Sequence, residues 1–595
     1  MLNLLVLLPV ALFALAAVGI LILQQARPSI GYAWLIGALA GLVTVGAVIF
    51  LRWHLPLQVS IHWWNPFGGE TMTPSFRLDE SSWPYALALA LLALAGMLTD
   101  AARLEREARP GRWAAGLAVT ALGLIAVTAA NPITLILAWT AVDLVELMMV
   151  ITTDAGRRMS MQTITLFSVR VAGTLLVVLA ILLARSRAIA FELSPIPPEL
   201  AVIMLIAAGL RLGVLPLNIP YTREVYGWRG LGNIMRMLGP ASSMVVLGRM
   251  PEGAVPAEWK GLFLFFSALA AVYGAAMWLA SDSEMHGRPY WFTALAALGV
   301  ASVVNGSPRA SIAWGMVLLL SGSLLFYYSA RRRQILFIPL LGILGIIGLP
   351  YTPAAAGWLG VVGVSSGSFT LLFLLAVLFL VWGYLRHLFV HPRDELYPME
   401  RWIQTVYPAG LLFLVAGQWL AALLGGRGSL TVGVWWASAI VAFLAALGVV
   451  LVVSFRGLWV ESRADAAEQP APGGAAAIPA SAAVPAGMPI GSAVLVEGEP
   501  EIARISAAPN RRIVRTEEGV LAARRWTDMF ARQVGGTLAA FFRLNWLYRF
   551  IAWIYHVVQA AIQLLTDIFE GDGGVLWSLV MLALLISLIT TGGGR

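Results

Sequence analysis

The chain has 595 residues, of which 59% are hydrophobic and only 12% are charged. This composition excludes an ordinary soluble domain, in which about a quarter of the residues carry a charge. The sequence contains no cysteine, which excludes thiolate-held iron–sulfur clusters, disulfides and cysteine-based zinc sites, so we expect no cofactor and no redox centre in this chain. The formal net charge of +8 comes largely from arginines in short polar segments, where basic residues set membrane orientation rather than bind nucleic acid.

Apolar stretches long enough to cross a bilayer recur along the chain. A helix needs roughly 20 apolar residues to span a hydrocarbon core, and the sequence predicts an all-α polytopic membrane protein with about 16 such helices. The predicted spans are 2–24, 30–51, 83–100, 113–130, 132–152, 162–185, 199–217, 231–250, 259–281, 290–305, 308–330, 335–364, 367–390, 406–425, 430–455 and 573–591.

Arginines predict the orientation of these spans. They concentrate in the segments after odd-numbered predicted helices, at 103–112, 157–158 and 331–333. Loops rich in basic residues stay on the cytoplasmic side of a membrane. We therefore expect a multi-pass protein of the inner membrane with its N-terminus facing outward.

The last part of the sequence differs from the rest. Residues 456–525 are rich in Ala, Pro and Gly, which is typical of an extended cytoplasmic linker. Residues 526–570 then place Phe, Trp, Leu and Ile at three- and four-residue steps, which predicts a long amphipathic helix lying along the membrane surface or along neighbouring helices. A last transmembrane helix is predicted within 571–595.

Several short motifs occur in a recognisable order. They are Phe76 to Asp79, Asn131 with Leu137 to Trp139, Gly213 to Asn218, Asp282 with Arg288, Ser321 to Ser323 and Gly348 to Pro350. In this order and spacing the chain resembles the antiporter-like subunits of respiratory complex I, membrane-bound hydrogenases and multisubunit sodium/proton antiporters. The segment at 526–595 resembles the distal, largest type of these subunits, whose lateral helix braces its neighbours.

The resemblance implies two inverted repeats of five helices, each with a helix that is interrupted at mid-membrane. Pro216 and Pro220, and later Pro350 and Pro353, are expected to break the two helices and leave carbonyl groups unbonded. The implied regions are 1–112 (N-terminal helices and an outer loop), 113–250 (first repeat), 259–390 (second repeat), 391–455 (additional transmembrane helices), 456–525 (linker), 526–570 (lateral helix) and 571–595 (last helix).

Membrane-embedded charges are the candidate functional residues. At the position of the family's glutamate this chain has Thr140, and its nearest acids are Asp143 and Glu146. The position of the partner lysine, or its immediate neighbour, is Arg211. Because an acid in the bilayer centre costs about 2.5 kcal/mol or more, it is expected to have a partner. We expect Asp143 to pair with Arg211, with two alternative partners. These are Arg170 and Arg236.

Such a pair has two interpretations. It could gate proton movement by opening and closing, or it could be a static ion pair that holds two helices in register. Arginine favours the static interpretation, because it stays charged at all ordinary pH values and does not release a proton.

This sequence lacks other titratable residues that the family resemblance leads us to expect along the proton path. Further family lysines fall at Gly287, near Trp314 and near Trp358, none of which titrates. His286, two residues before Arg288 and near a predicted membrane surface, is a candidate replacement relay because an unperturbed histidine titrates at a pKa of about 6.5.

No metal site is predicted. His54 and His62 lie in a predicted outer loop without a carboxylate cluster. His387 and His391 have metal-like spacing, but Pro392 interrupts it, and we interpret both as part of a solvated cytoplasmic loop.

The sequence therefore favours a membrane-arm subunit of a complex I-like NADH:quinone oxidoreductase. It would hold no redox centre and would contribute to proton translocation, with other membrane subunits and the lipid bilayer as its partners. Two alternatives stay open. One is a structural, non-conducting paralogue that braces partner subunits, and the other is a subunit of a cation/proton antiporter.

Overall fold

A computed structural model describes most of the first 450 residues. The described residues are 2–26, 33–62, 73–103, 110–153, 161–218, 229–329, 335–362, 367–389, 401–426 and 429–450. All of them belong to the first of two compact units, residues 1–535. The predicted linker (456–525), lateral helix (526–570), last transmembrane helix (571–595) and Pro220 lie outside the described residues.

The described residues are largely helical. The helices are α1 (Leu8–Ala26), α2 (Ala33–Leu51), α3 (Trp83–Asp100), α4 (Pro110–Thr128), α5 (Pro132–Thr153), α6 (Met161–Ser186), α7 (Pro198–Arg211), α8 (Leu231–Gly248), α9 (Ala257–Ala280), α10 (Glu284–Val304), α11 (Pro308–Tyr327), α12 (Phe337–Ile347), α13 (Ala355–Val361), α14 (Thr370–Phe389), α15 (Ile403–Leu424) and α16 (Trp435–Val450). A 3₁₀ turn at Leu2–Leu7 precedes α1. The predicted span at 335–364 corresponds to both α12 and α13.

Ten helices in the described ranges are long and apolar enough to cross a membrane. Helices satisfy their backbone hydrogen bonds internally, which is the requirement for chain segments in lipid. Helix α3 lies at the centre, because 94% of its most apolar window is buried, whereas only 22% of the corresponding window of α6 is buried. The apolar side chains of α6 therefore face outward, as they do on a lipid-exposed or partner-facing surface.

Two helices stop inside the bundle. Helix α7 ends at Arg211 rather than at the predicted residue 217, and the chain turns through the buried residues 212–215 to Pro216, which is exposed. Helix α12 ends at Ile347, where Gly348 adopts a left-handed φ of 72° that terminates a helix. Pro350 and Pro353 lie in the turn before α13 starts.

Helix α10 starts earlier than the sequence predicted. It begins at Glu284 instead of residue 290, because the Ser283 hydroxyl accepts a hydrogen bond from the backbone N–H of His286 (3.3 Å). A serine at this position satisfies one of the unpaired N–H groups of the first turn.

A small sheet was not predicted. Strands β1 (Leu57–Ser60) and β2 (Ser75–Leu78) pair antiparallel, with Leu57 opposite Leu78. Each strand has only four residues, which is too short to show a reliable alternation of apolar and polar side chains.

Asp79 follows β2 and ties several segments together at this end of the helices. Its Oδ1 accepts hydrogen bonds from the N–H groups of Ser81 (3.1 Å) and Ser82 (2.8 Å). Its Oδ2 accepts a hydrogen bond from the Ser194 hydroxyl (2.8 Å) and lies 3.3 Å from a guanidinium nitrogen of Arg249. The carboxylate thus joins the start of α3, the segment before α7 and the residue after α8. We call this end of the bundle the Asp79 end.

The opposite end is marked by Arg103, which follows α3. Its guanidinium pairs with Asp100 (2.6 Å) and donates to the Ser329 hydroxyl after α11 (3.1 Å). Helix α7 starts at the Asp79 end, whereas α12 starts near Ser329, at what we call the Arg103 end. The two interrupted helices therefore enter the bundle from opposite ends.

We predict that Asp79→Asn lowers thermal stability in a pH-dependent way. Burial raises the pKa of Asp79, but the charge of Arg249 and hydrogen bonds from Ser82 and Ser194 outweigh burial and hold it below the ordinary value of 3.8. A carboxyl group whose pKa is lowered in the folded protein stabilises the fold at pH values above its ordinary pKa. This stabilisation is lost as the pH falls through the pKa of the folded protein. At neutral pH the variant should lose about 3 kcal/mol, the usual cost of breaking a buried pair.

The measurement is the unfolding temperature of the purified protein at neutral and at acidic pH. Asp282→Asn, which changes an exposed carboxylate, is the matched control. The difference between wild type and Asp79→Asn should shrink in acid, and a difference that grows in acid would contradict the assignment.

Candidate ion-translocation site

Five charged side chains from four helices meet in the first half of the bundle. Asp143 and Glu146 lie three residues apart on α5 and so share one face. The three arginines come from the next three helices. They are Arg170 of α6, Arg211 at the end of α7 and Arg236 of α8.

Asp143 and Arg211 form the ion pair expected from the sequence. Nη1 of Arg211 lies 2.6 Å from Oδ2 of Asp143, and Nη2 lies 2.9 Å from Oδ1, so the contact is bidentate. Both residues are only 3% exposed. Bidentate guanidinium–carboxylate pairs are among the strongest hydrogen-bonded contacts in proteins.

The surroundings hold Arg211 in one place. Its guanidinium also donates to the Arg170 carbonyl (3.1 Å) and the Thr174 hydroxyl (3.2 Å), and it lies 4.3 Å over the Trp139 ring. Gly173 of α6 makes room for it, because a Cβ there would lie 2.6 Å from Cγ of Arg211. A glycine on α6 is therefore needed for this packing.

The alternative partners join the same network through Glu146. Arg170 contacts Glu146 directly and also lies 3.5 Å from Oδ1 of Asp143. Arg236 contacts the other oxygen of Glu146. Arg170 thus links the two carboxylates, and helices α5 to α8 are connected by one network of charge-assisted contacts.

This network can bind protons only on its carboxylates. An arginine in a protein stays protonated, so a proton that enters must go to Asp143 or Glu146 and must weaken the arginine contact of that group. The geometry allows the carboxylates to exchange arginine partners, because Arg170 contacts both of them.

A second cluster of polar side chains includes Asn233, which lies one helical turn before Arg236 on α8. Asn233 donates to the Ser323 hydroxyl of α11 (3.0 Å), and its side-chain oxygen lies 3.4 Å from Arg288 of α10. Arg288 is 1% exposed and also lies 5.2 Å over the Phe326 ring. The structure thus brings Arg288 into the interior, next to Asn233, which sequence analysis did not single out.

His286 does not join either group. Its side chain is exposed in the first turn of α10, so the candidate relay is not inside the bundle in the described structure. Of the helix-breaking residues, Pro216 follows α7 and its carbonyl accepts a hydrogen bond from the Asn218 amide (3.0 Å).

Tryptophans occupy the region where the family resemblance expects further lysines. A Cβ at Gly287 would lie 2.5 Å from Cε3 of Trp278, so the ring fills that space. Trp314 and Trp358 are fully buried against each other, with ring centroids 5.7 Å apart. Their indole N–H groups donate to the carbonyls of Gly357 (3.1 Å) and Ile347 (2.8 Å), so part of the backbone freed by the α12 break is satisfied by tryptophan.

Helix α11 contains a π-helical turn at Val317–Ser321, a feature that often marks functional sites. The indole N–H of Trp291 donates to the Leu318 carbonyl (3.2 Å) in this turn. The Ser321 hydroxyl donates to Gln418 of α15 (2.9 Å). The motif Ser321 to Ser323 therefore faces polar partners on both sides.

The interpretation of His387 as part of a solvated loop is wrong. His387 lies within α14 and is fully buried against Trp278. The sequence could not show this, because the burial depends on α9, more than a hundred residues earlier. His391 lies outside the described residues. In the part of the chain that the structure describes, no group of three or more His, Asp or Glu residues could hold a metal ion.

The fold and site together define a multi-pass helical membrane protein with a buried arginine–carboxylate network. No protein-family model and no curated protein sequence matches the chain. Solved structures do share its fold. A chain of the Mrp complex from Dietzia sp. DQ12-45-1b matches at a TM-score of 0.61 and 14% identity over 99% of this chain. The present chain spans 63% of the length of that protein.

Two respiratory complexes contain chains of the same fold. One is respiratory complex I from Thermus thermophilus with bound NADH, with a TM-score of 0.51 and 18% identity over 72% of this chain and 100% of that chain. The other is the membrane-bound sulfane sulfur reductase (MBS), an archaeal respiratory membrane complex, with a TM-score of 0.58 and 13% identity over 98% of this chain and 100% of that chain. The fold resemblance inferred from the short motifs is thereby confirmed.

We predict that Arg211→Leu destabilises the protein more than the double variant Asp143→Leu/Arg211→Leu. The single variant leaves Asp143 with the longer Arg170 contact, and removing one partner of a buried pair costs about 3–5 kcal/mol. Replacing both partners by apolar residues is often close to neutral. Unfolding temperatures in detergent measure the difference, and a double variant less stable than the single one would argue against the pair.

We also predict that Gly287→Ala lowers the unfolding temperature. The new methyl group would overlap Trp278 and Ser281, and overpacking a core costs about 1–3 kcal/mol. Gly261→Ala on α9 is the control, because no atom lies within 4 Å of its Cβ position. In the double variant Gly287→Ala/Trp278→Leu the smaller side chain should relieve the overlap. Equal stability of Gly287→Ala and Gly261→Ala would contradict this packing.

Proposed function

We propose that this chain is a membrane-arm, antiporter-like subunit of a multisubunit complex that resembles complex I and couples electron transfer in other subunits to proton translocation. Support comes from the fold shared with chains of respiratory complexes and from the charged network of α5 to α8. In this proposal the chain has about 16 transmembrane helices in two inverted five-helix repeats. The entry of α7 and α12 from opposite ends of the bundle supports the inversion.

The single observation that carries a transport role is the burial of two carboxylates and three arginines in one network. Uptake of a proton by Glu146 removes its charge and releases the Arg236 contact. Arg236 and the bridging Arg170 then move toward Asp143, the remaining carboxylate. Proton binding is thus converted into a displacement of α8 relative to α5 and α6, and a movement imposed on α8 by a partner subunit drives the reverse step.

A structural role is the second candidate, and specific packing favours it. Trp278, Trp314 and Trp358 fill the positions at which the family resemblance expects lysines. In that case the chain braces partner subunits, and the ion pairs hold its helices in register. A cation/proton antiporter subunit is a third possibility, which needs a titratable path across the whole membrane.

The remaining assignments belong to the same proposal. The partners are other membrane subunits and the lipid bilayer, and this chain holds no cofactor. The protein lies in the inner membrane with its N-terminus outward, and the linker and lateral helix are cytoplasmic. The arginine-rich segments, including Arg103, then lie on the cytoplasmic side, as basic loops do.

The deciding experiment uses Asp143→Asn and Glu146→Gln in the complex purified through a tag on this chain. Co-purification identifies the partners and reports assembly. Reconstituted vesicles with a pH-sensitive dye report proton translocation, and electron transfer is recorded in the same samples. We expect both variants to assemble and to lose most of the proton translocation. Asp282→Asn, an exposed substitution, should behave like wild type.

The structural role predicts another pattern. Loss of assembly in Asp143→Asn, with normal translocation in whatever complex remains, would replace the transport assignment by the bracing one.

A further inference from the structure

His387 is a buried titratable side chain that the charged network does not use. It lies near the end of α14 and is fully buried. Its ring is stacked on Trp278 of α9, with centroids 4.4 Å apart. A buried histidine has to satisfy its ring nitrogens within the protein, because a polar group left without a partner costs free energy.

One ring nitrogen has well-defined oxygen partners. Nε2 lies 3.0 Å from the Trp278 carbonyl oxygen and 3.1 Å from the Ser281 hydroxyl. A carbonyl oxygen only accepts hydrogen bonds, so Nε2 carries the hydrogen in the neutral ring. A proton taken up by this ring therefore goes to Nδ1.

The same pocket is the space beside Gly287. The Ser281 hydroxyl and the Trp278 ring, the two groups that contact His387, are also the ones that a Cβ at Gly287 would meet. A basic side chain does not fit at Gly287 in this packing. A titratable base nevertheless lies one hydroxyl away from that position, on α14 instead of α10.

Charged groups near this pocket come from two helices, α10 and α14, and from two connections. Arg386, the neighbour of His387, donates to the Leu279 carbonyl (2.7 Å) and to that of Ser281. Arg288 of α10 lies beyond Phe326, a ring that also packs edge-on against Trp278. Glu284 pairs with Arg229 (2.6 Å), and Asp282 is exposed between α9 and α10.

Two elements packed on α14 bring no charge to the pocket. The sequence of α12 is FIPLLGILGII, without any ionisable residue. Near its Arg103 end α11 contributes Tyr327 but no charged side chain. Among these side-chain types, imidazole is the one whose unperturbed form changes its charge between pH 5 and 8, since arginines stay charged.

We propose that His387, with Ser281 as its hydrogen-bonded neighbour, is a proton-binding site of the second half of the bundle. This inference rests on the proposed transport function. The neutral imidazole binds one proton from the aqueous phase at the Arg103 end, forming the Nδ1–H bond while Nε2 keeps its hydrogen bond to Trp278. Release of the proton breaks only that new bond. The site takes the place of the basic residue that Gly287 lacks.

The competing explanation is a core histidine that stays neutral and only fills space. Both explanations predict that a bulky change at this position destabilises the fold. They differ in whether the ring binds and releases a proton, so the test has to observe protonation directly.

The test compares His387→Gln with His286→Gln in the intact purified complex. Glutamine keeps an N–H donor for the Trp278 carbonyl but does not titrate, and His286 is an exposed histidine in the first turn of α10, next to Gly287. Infrared difference spectra between acidic and alkaline pH report imidazole protonation. Proton translocation is measured over the same pH range in vesicles, and unfolding temperatures show that both variants are folded.

We expect the infrared spectra of wild type to contain a buried-imidazole signal that His387→Gln lacks and His286→Gln keeps. The protonated ring is lost as pH rises, so the part of translocation that depends on it should decline with rising pH in wild type. In His387→Gln this pH-dependent part of the translocation should be missing. The translocation rate of the variant should then be severalfold lower than that of wild type at the acidic end of the pH range. If glutamine perturbs folding, Ser281→Ala, which keeps the ring, should retain the signal at a shifted pH.

Other outcomes separate this inference from the function on which it rests. If Asp143→Asn abolishes translocation but His387→Gln has a wild-type pH profile and a wild-type infrared difference, the site is refuted and the function stands. If the imidazole signal depends on His387 while no variant changes translocation, proton binding is upheld and the transport function fails.

Discussion

The bidentate contact between Arg211 and Asp143 is the constraint on which the first half of the structure depends. A charge in a lipid-embedded bundle is retained only with a partner, and here one guanidinium satisfies both oxygens of one carboxylate. This requirement is met at Arg211, the last residue of α7. The last turn of a helix exposes carbonyl groups and carries partial negative charge, which favours a cation at that point. The position of Arg211 explains Gly173, whose missing side chain lets α6 approach the arginine.

In the second half of the bundle, aromatic side chains rather than charged ones stabilise the interrupted helices. The break after α12 frees carbonyl groups in the interior, and the indole N–H of Trp358 occupies one of them. Trp291 does the same for the π-helical turn of α11. Indole groups combine a large apolar surface with one hydrogen-bond donor, so they fill space and satisfy the backbone at once. The two halves therefore share breaks in helices but differ in what stabilises the breaks.

Part of this arrangement could be predicted from the sequence, because it depends on local rules. Asp143 and Glu146 are the acids nearest to Thr140, where the family resemblance expects a glutamate, and Pro350 and Pro353 lie in the turn that follows α12. Other features depend on contacts between distant segments. The burial of His387 requires Trp278, and the importance of Asn233 comes from its position between α10 and α11. The four-residue strands were too short for a pattern, and the start of α10 depended on the serine cap at Ser283.

The carboxylate of Asp79 has a mechanical consequence for α8. Because Arg249 pairs with Asp79 immediately after Gly248, the last turn of this helix is anchored at the Asp79 end. Arg236 lies thirteen residues before the anchor, which is about 20 Å along a helix axis. Tilting α8 by about 5° around the anchor would carry Arg236 through an arc of about 1.7 Å, given that lever length. An arc of that size is enough to break one hydrogen bond and form another, so a small tilt of α8, or a bend at its internal Pro240, would change the contacts of Arg236 while the Asp79 contact holds the other end in place.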